Sequence, residues 1–193
     1  RAGELMPIME DEHGTYIMNS KDLRAIEYIE KLTNIGVTSL KIEGRTKSQY
    51  YVARTAQTYR RAIDDAVAGR PFNPELLLEL EGLSNRGYTA GFLQRHVSQD
   101  TQNYITGNSE AKRSQFVGQV LSVEDGWALV DVKNRFALQD RLEVIHPQGN
   151  VEMILTEMRG KHNEAVDVAA GSGILVRIPL ASTFNGAMIA RLL

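Results

Sequence analysis

The sequence predicts an α/β part followed by a nearly all-β part, and three observations carry that expectation. Residues 15–69 alternate extended and helical hydrophobic patterns twice, which reads as two βα units in a row and points to a parallel α/β sheet or barrel. From Gln115 onward the hydrophobic period changes to two, with close turn signals, as in a small closed β-barrel. Between them, residues 98–114 are rich in Ser, Gln, Asn and Thr and read as a linker. The expected division is residues 1–97, a linker over 98–114 and a small β-barrel over 115–193.

The first expected strand is Thr15–Met18. Asn19 or Ser20 follows and can cap a helix by accepting a bond from a free backbone N–H. That helix carries Leu23, Ile26, Ile29 and Leu32 on one side, and Gly36 suits its C-terminal cap. Val37–Glu43 is the second expected strand, with Leu40 and Ile42 on one face and Ser39, Lys41 and Glu43 on the other. Gly44 breaks it and Ser48 can start the next helix, whose apolar positions are Val52, Ala56, Tyr59, Ile63 and Val67. Gly69 ends that helix, and Arg70–Pro71–Phe72 leads out. Asn73 then caps a third helix with Pro74 at its first position, where the missing N–H costs nothing. Leu76, Leu77, Leu80 and Leu83 form its stripe, and Gly82, Gly87 and Gly91 break up the stretch to His96.

The β part offers short strands at Phe116–Val123, Trp127–Val132, Arg141–His146, Val151–Met158, Ala165–Val168, Ile174–Ile178 and Ala187–Leu192. Glu124–Asp125–Gly126, Pro147–Gln148–Gly149–Asn150 and Gly171–Ser172–Gly173 supply turns between them.

The 193 residues are 42% hydrophobic and 24% charged, an ordinary folded composition that argues against disorder. A net charge of −2 does not announce a nucleic-acid binder, so any such role rests on a local basic patch. The absence of cysteine removes disulfides, thiolate metal sites and a cysteine nucleophile from this chain. No apolar run approaches the roughly 20 residues that span a bilayer, and no signal peptide is seen, so a cytoplasmic location without membrane attachment is expected. The start at Arg1 reads as a cut from something longer.

The four histidines, His13, His96, His146 and His162, lack the helical spacing of a zinc protease. There is no Gly-x-Ser-x-Gly elbow, no phosphate-cradling loop and no dinucleotide fingerprint. No metal site is expected from these residues, and no self-contained catalytic signature is present.

Two features rise above this background. Lys41–Ile42–Glu43–Gly44–Arg45 would put Lys41 and Glu43 inside a barrel near the C-terminal mouth, where such folds bind ligands. A carboxylate flanked by two cations stays ionised and can bind a ligand amide or hydroxyl, or organise the cations. The plainer reading is a solvated strand end with a surface salt bridge. The second feature is the window from Gly44 to Arg61, which holds Arg45, Lys47, Arg54, Arg60 and Arg61 with no acidic residue and with Tyr50, Tyr51 and Tyr59 interleaved. Such a patch can neutralise phosphates and stack bases, with Arg45, Lys47, Arg54 and Arg61 as the RNA-binding candidates. The plainer reading is a solvated helix face, with Arg60 and Arg61 paired to Asp64 and Asp65 and Tyr59 in the core.

The run from Ser39 to Ser48, continuing through Tyr50–Tyr51–Val52–Ala53 and Tyr59–Arg60–Arg61–Ala62–Ile63–Asp64, resembles the hallmark of the bacterial collagenase-like peptidases, family thirty-two of unknown catalytic type. Tyr16–Leu23 resembles its preceding strand and helix start, and Arg86–Phe92 its stretch after the barrel. Within the family, the resemblance is to the branch that hydroxylates tRNA. It implies the last two βα units of a (β/α)-barrel catalytic part, followed by a small β-barrel that docks RNA. It further implies conversion of a tRNA wobble uridine to 5-hydroxyuridine by the parent enzyme, with prephenate as co-substrate and Lys41, Glu43 and Arg45 at the ligand site. The partners would be tRNA and the protein's own amino-terminal catalytic part. Hydroxylation relatives hold an iron–sulfur cluster on a cysteine-rich segment expected upstream of Arg1. Many relatives also carry a cysteine within Asp22–Ile26, where this chain has Arg24, and Val52 leaves the later helix without a thiol. The fragment alone is therefore expected to be inactive. Two other functions stay open: a collagenase-like peptidase, and a binding or assembly module without chemistry. Phe116–Val120, Val132–Phe136 and Asp140–Val144 also resemble the β-barrel second domain of translation GTPases, although Gln139 stands where a glycine usually precedes the Asp.

Overall fold

The computed structural model describes residues 9–11, 14–16, 21–83, 85, 87–93 and 114–193. It divides the chain into two compact units that do not follow chain order. One comprises residues 1–42 and 58–111; the other comprises residues 43–57 and 112–193.

In the first unit, β1 (Met9–Asp11) and β2 (Gly14–Tyr16) form an antiparallel hairpin with Met9 opposite Tyr16. β3 (Asp22–Leu23) runs parallel to β4 (Tyr88–Thr89). The Asp22 N–H donates to the Gly87 carbonyl at 2.9 Å and the Arg24 N–H to that of Thr89 at 2.9 Å. This pairing corrects the expected helix start: Leu23 lies in a strand, 65% exposed, and helix begins only after a 3-10 turn at Ile26–Tyr28, as α1 (Ile29–Asn34). The expected caps Asn19 and Ser20 lie outside the described residues. Gly36 ends α1 as expected, with φ +85°, a left-handed conformation that costs glycine little. Its N–H donates to Thr33 and the Val37 N–H to Leu32, the paired bonds of a Schellman motif.

Residues 37–44 carry no regular secondary structure, which corrects the expected strand over Val37–Glu43. A strand exists only where a neighbour takes its N–H and C=O groups, and no described strand pairs with this segment. α2 (Gln49–Val67) follows and crosses the unit boundary. α3 (Glu75–Glu81) is entered through Pro74, with the Asn73 side chain accepting the Glu75 N–H at 2.9 Å. Leu76, Leu80 and Leu83 are buried with Ile26, Ile29 and Ala62.

The apolar stripe assigned to α2 is also corrected. Val67 is 71% exposed and Val52 is exposed too, whereas Tyr50, Arg54, Thr55, Thr58 and Ala62 are buried. Polar groups can be buried when they are hydrogen-bonded. Tyr50, Arg54 and Thr58 meet this condition through Ser114, Glu143 and Glu79.

The second unit is dominated by a seven-stranded sheet, antiparallel at every pairing: β5 (Ser114–Glu124), β6 (Trp127–Val132), β8 (Arg141–Ile145), β9 (Val151–Ile154), β10 (Arg159–Gly160), β12 (Leu175–Pro179) and β13 (Met188–Leu192). Their order is β10-β12-β6-β5-β13-β8-β9. A two-stranded ladder of β7 (Phe136–Ala137) and β11 (Val168–Ala169) accompanies it. Period-two burial holds along β6, where Ala128, Val130 and Val132 point into a core shared with Val117, Val144, Ile178 and Ile189. β5 and β6 join through Asp125 and Gly126, whose φ angles of +50° and +80° make the tight two-residue turn that suits hairpin twist.

The expected closed barrel is corrected to an open half-barrel, because β9 and β10 end the order without pairing to each other. The chain turns away from strand geometry after Ile154: Leu155 and Met158 drop into the core, and the left-handed Asn163 bends the chain back so that Arg159 bridges Ala165.

Candidate functional site

Lys41, Glu43 and Arg45 are all exposed and lie on backbone without regular structure, in place of a barrel strand. Lys41 and Glu43 each engage in a polar or charged interaction, so neither is free. Lys41 belongs to the first compact unit, and Glu43 and Arg45 to the second.

The basic window divides by environment. Arg45 is exposed, and the Lys47 ammonium sits 4.8 Å from the centre of the Tyr51 ring, a cation–π contact. Arg60 pairs with Asp64 at 2.6 Å, as the solvated-face reading expects. Arg61 pairs with Glu79 instead of Asp65, whose carboxylate takes Arg70 at 2.7 Å. Arg54 is only 7% exposed, and its Nη1 donates to Glu143 Oε1 at 2.7 Å. This arrangement places Arg54 among the core contacts of the second unit, not on a phosphate-facing surface.

The tyrosines divide in the same way. Tyr50 is buried, stacks on Phe116 at 5.3 Å between ring centres, and shares a 2.9 Å hydrogen bond with Ser114. Burial pushes its phenol above the ordinary tyrosine value, against the opposing pull of the Ser114 bond. Tyr59 accepts the Ala25 N–H at 2.8 Å, and burial raises its phenol as well. Neither ring is an open platform for a base.

Around Arg54 lies a polar cluster that the sequence reading did not find. Glu143 Oε1 accepts from Asn150 Nδ2 at 2.8 Å as well as from Arg54. Gln57 Nε2 donates to Asn150 Oδ1 at 2.8 Å and to the His146 carbonyl at 3.3 Å. The legible signal was the four-residue step from Tyr50 to Arg54 on one helix face. Its partners lie far along the chain, out of reach of local pattern.

A second group lies on the outward face of β6 and β12, joined by Arg159 of β10. The Arg159 guanidinium rests 3.9 Å from the centre of the Trp127 ring. Its Nε and Nη2 donate to Glu157 Oε1 at 3.1 and 2.8 Å, and its Nη1 to Asn163 Oδ1 at 3.2 Å. Arg177 stands directly opposite Arg159 in the ladder. Among the described residues no cluster of three or more His, Cys, Asp or Glu could hold a metal ion. With no cysteine in the chain, its residues supply no thiolates for an iron–sulfur cluster. No helix of the described residues is long and apolar enough to cross a membrane.

Comparison with known proteins gives two family matches: Peptidase family U32 over residues 2–103, and the Peptidase family U32 C-terminal domain over residues 112–191. The segments likened to a translation GTPase domain fall inside the second match, and it is the U32 domain that the comparison supports. The chain is 57% identical over 181 residues to "tRNA hydroxylation protein P" of Escherichia coli, covering 93% of this chain and 40% of that protein. It is 52% identical over 192 residues to the protein of the same name from Haemophilus influenzae, covering 97% of this chain and 42% of that one. A "Collagenase" of Porphyromonas gingivalis is 31% identical over 114 residues, covering 56% of this chain and 31% of that protein. The chain thus spans about two fifths of the length of the tRNA hydroxylation relatives. With one model covering more than half of the chain and a second most of the remainder, the chain belongs to Peptidase family U32.

Proposed function

We propose that this chain is the carboxy-terminal part of a tRNA-modifying protein that converts wobble uridine to 5-hydroxyuridine. The observation that carries the reading is the 57% identity to "tRNA hydroxylation protein P" across 93% of the chain. In this reading the β-rich unit docks RNA, and the exposed Arg45 and the half-buried Lys47 contact phosphate, since cationic side chains make most such contacts. Arg61 is a further phosphate contact, reached by exchanging its partner Glu79 for RNA.

Glu43 and Arg45 are the ligand-site residues of this reading, with Lys41 as the third charge of the same sequence motif. Prephenate is a dicarboxylate, and an arginine fork matches a carboxylate in geometry and charge. Cluster chemistry, where the parent uses it, draws its cysteine ligands from outside this chain.

The test is mass analysis of tRNA nucleosides from a strain lacking the full gene, complemented with wild-type or variant protein. Loss of 5-hydroxyuridine on deletion and its return with wild type are expected. Glu43→Gln preserves shape, and Arg45→Lys preserves charge while losing the fork. Each is expected to leave the protein folded and lower 5-hydroxyuridine about tenfold or more, the scale of losing one charge-assisted contact. Normal nucleoside levels with both folded variants would move the ligand site elsewhere. Unchanged levels on deletion would remove the tRNA reading. The relative named collagenase motivates a peptidase as the second reading, and gelatin cleavage by the purified full-length protein would favour it.

A further inference from the structure

Trp127, Leu129 and Arg177 share the outward face of β6 and β12, because their neighbours Ala128, Val130, Val176 and Ile178 point inward, and Arg159 of β10 joins them through its contact with the Trp127 ring. In the ladder Arg177 is opposite both Arg159 and Leu129. Like charges directly opposite on one sheet face repel. Arg159 has its charge balanced by Glu157, but no ion pair of Arg177 is found among the described residues. The face therefore carries an uncompensated cation beside a balanced one.

Arg159 is held by several partners. Trp127 covers one side of its guanidinium plane, and Glu157 and Asn163 take three of its N–H directions along the rim. Asn163 does so from a left-handed backbone, φ +70°. The side chain nevertheless remains about one third exposed, at 32%. With Trp127 on one side of the plane, this remaining exposure offers a surface suited to stacking on another flat π system.

We propose that this face is a seat for single-stranded RNA, with one unpaired base stacked on the open side of the Arg159 guanidinium and the adjoining phosphate held by Arg177. The inference rests on the RNA-docking role given above to the β-rich unit, and it names the residues that make the contact. The roles divide by charge. Glu157 neutralises Arg159 along its rim, so Arg159 acts as a stacking plane more than as a cation. Arg177 supplies the charge that the phosphate needs. Of the other acidic neighbours, Asp131 is paired with Lys133 at 2.7 Å, Glu124 lies opposite Trp127 at the hairpin end, away from Arg177, and Glu164 accepts the His162 N–H at 3.0 Å. Lys161 and His162, both exposed, continue from β10.

The test is equilibrium binding of a short uridine-rich single-stranded RNA to the full-length protein, across a salt series, against an abasic version and a duplex. Wild type should prefer the base-containing single strand. Arg177→Gln should weaken binding about five- to tenfold and reduce the slope of log affinity on log salt by about one, as for loss of one phosphate contact. Arg159→Lys keeps the charge and removes the plane, so it should weaken binding to the normal strand while leaving the abasic strand unaffected. Far-ultraviolet circular dichroism and thermal midpoints check that both variants are folded. Equal affinity and salt slope for Arg177→Gln would overturn the proposal. An equal loss on normal and abasic strands for Arg159→Lys, duplex bound as tightly as single strand, or no RNA binding by wild type would also overturn it. None of these results depends on 5-hydroxyuridine levels in cells, so the seat and the hydroxylation reading fail separately.

Discussion

Gln139 has a φ of +69° in a tight turn where the Asp140 N–H returns to the Ala137 carbonyl at 3.2 Å. Its own N–H donates to Leu155 at 2.8 Å, so the backbone is pinned there. A side chain in this left-handed region clashes with its own backbone, which glycine avoids. Gln139→Gly should stabilise the protein by about 0.5–1 kcal/mol once the glycine's greater freedom in the unfolded chain is subtracted. The check is the urea midpoint followed by Trp127 fluorescence, since Trp127 is the one tryptophan. An unchanged or lower midpoint would mean that the Gln139 side chain makes a compensating contact. The missing glycine before the aspartate was legible in the sequence, but no backbone strain was drawn from it.

At the scale of the element, α2 shows where hydrophobic pattern misleads. The step from Val52 to Val67 has helical spacing, and the helix is there, but its buried side is written in Tyr50, Arg54, Thr55, Thr58 and Ala62. A pattern reader assigns polar letters to water. Here Tyr50, Arg54 and Thr58 are buried because Ser114, Glu143 and Glu79 wait for them, whereas the buried Thr55 hydroxyl has no protein partner among the described residues. The side chains of Arg54 and Glu143 are only 9% and 13% exposed, so breaking their pair strands a charge in a poor solvent. Arg54→Ala should cost about 3–5 kcal/mol in urea unfolding, while a joint replacement of Arg54 and Glu143 by Met and Leu should cost much less. Single and double variants of equal stability would show that the pair is hydrated and weak. The β strands were easier to read, because every second residue of β6, β8 and β12 is a buried apolar one. The two-residue β7 and β10 were missed, since no alternation fits in two positions.

For the whole molecule, burial raises a tyrosine phenol in both compact units among the described residues: Tyr59 in the first and Tyr50 in the second. Above the ordinary value of 10.0, the unfolded chain has released protons that the folded chain still holds. Stability therefore falls as pH rises beyond 10 and is intact below it. Urea unfolding at pH 9 and pH 11 should show this loss, and Tyr50→Phe with Tyr59→Phe should make it smaller. The same loss in the double variant would place its origin in other groups. The family and the β-rich character of the second half of the chain were legible because long motifs and periodicities are local. The surroundings of Lys41, Glu43 and Arg45 were not, since a barrel mouth is built by strands distant in sequence, and the described residues give that segment no strand to pair with.

The split of the β-rich unit between residues 43–57 and 112–193 also has a meaning in time. Tyr50 and Arg54 leave the ribosome well before Phe116 and Glu143 exist. At about 5–20 residues per second, the wait is on the order of several seconds. The first half of α2 thus spends its early life without the partners that later bury it: its phenol stays hydrated until β5 arrives, and its guanidinium until β8 does.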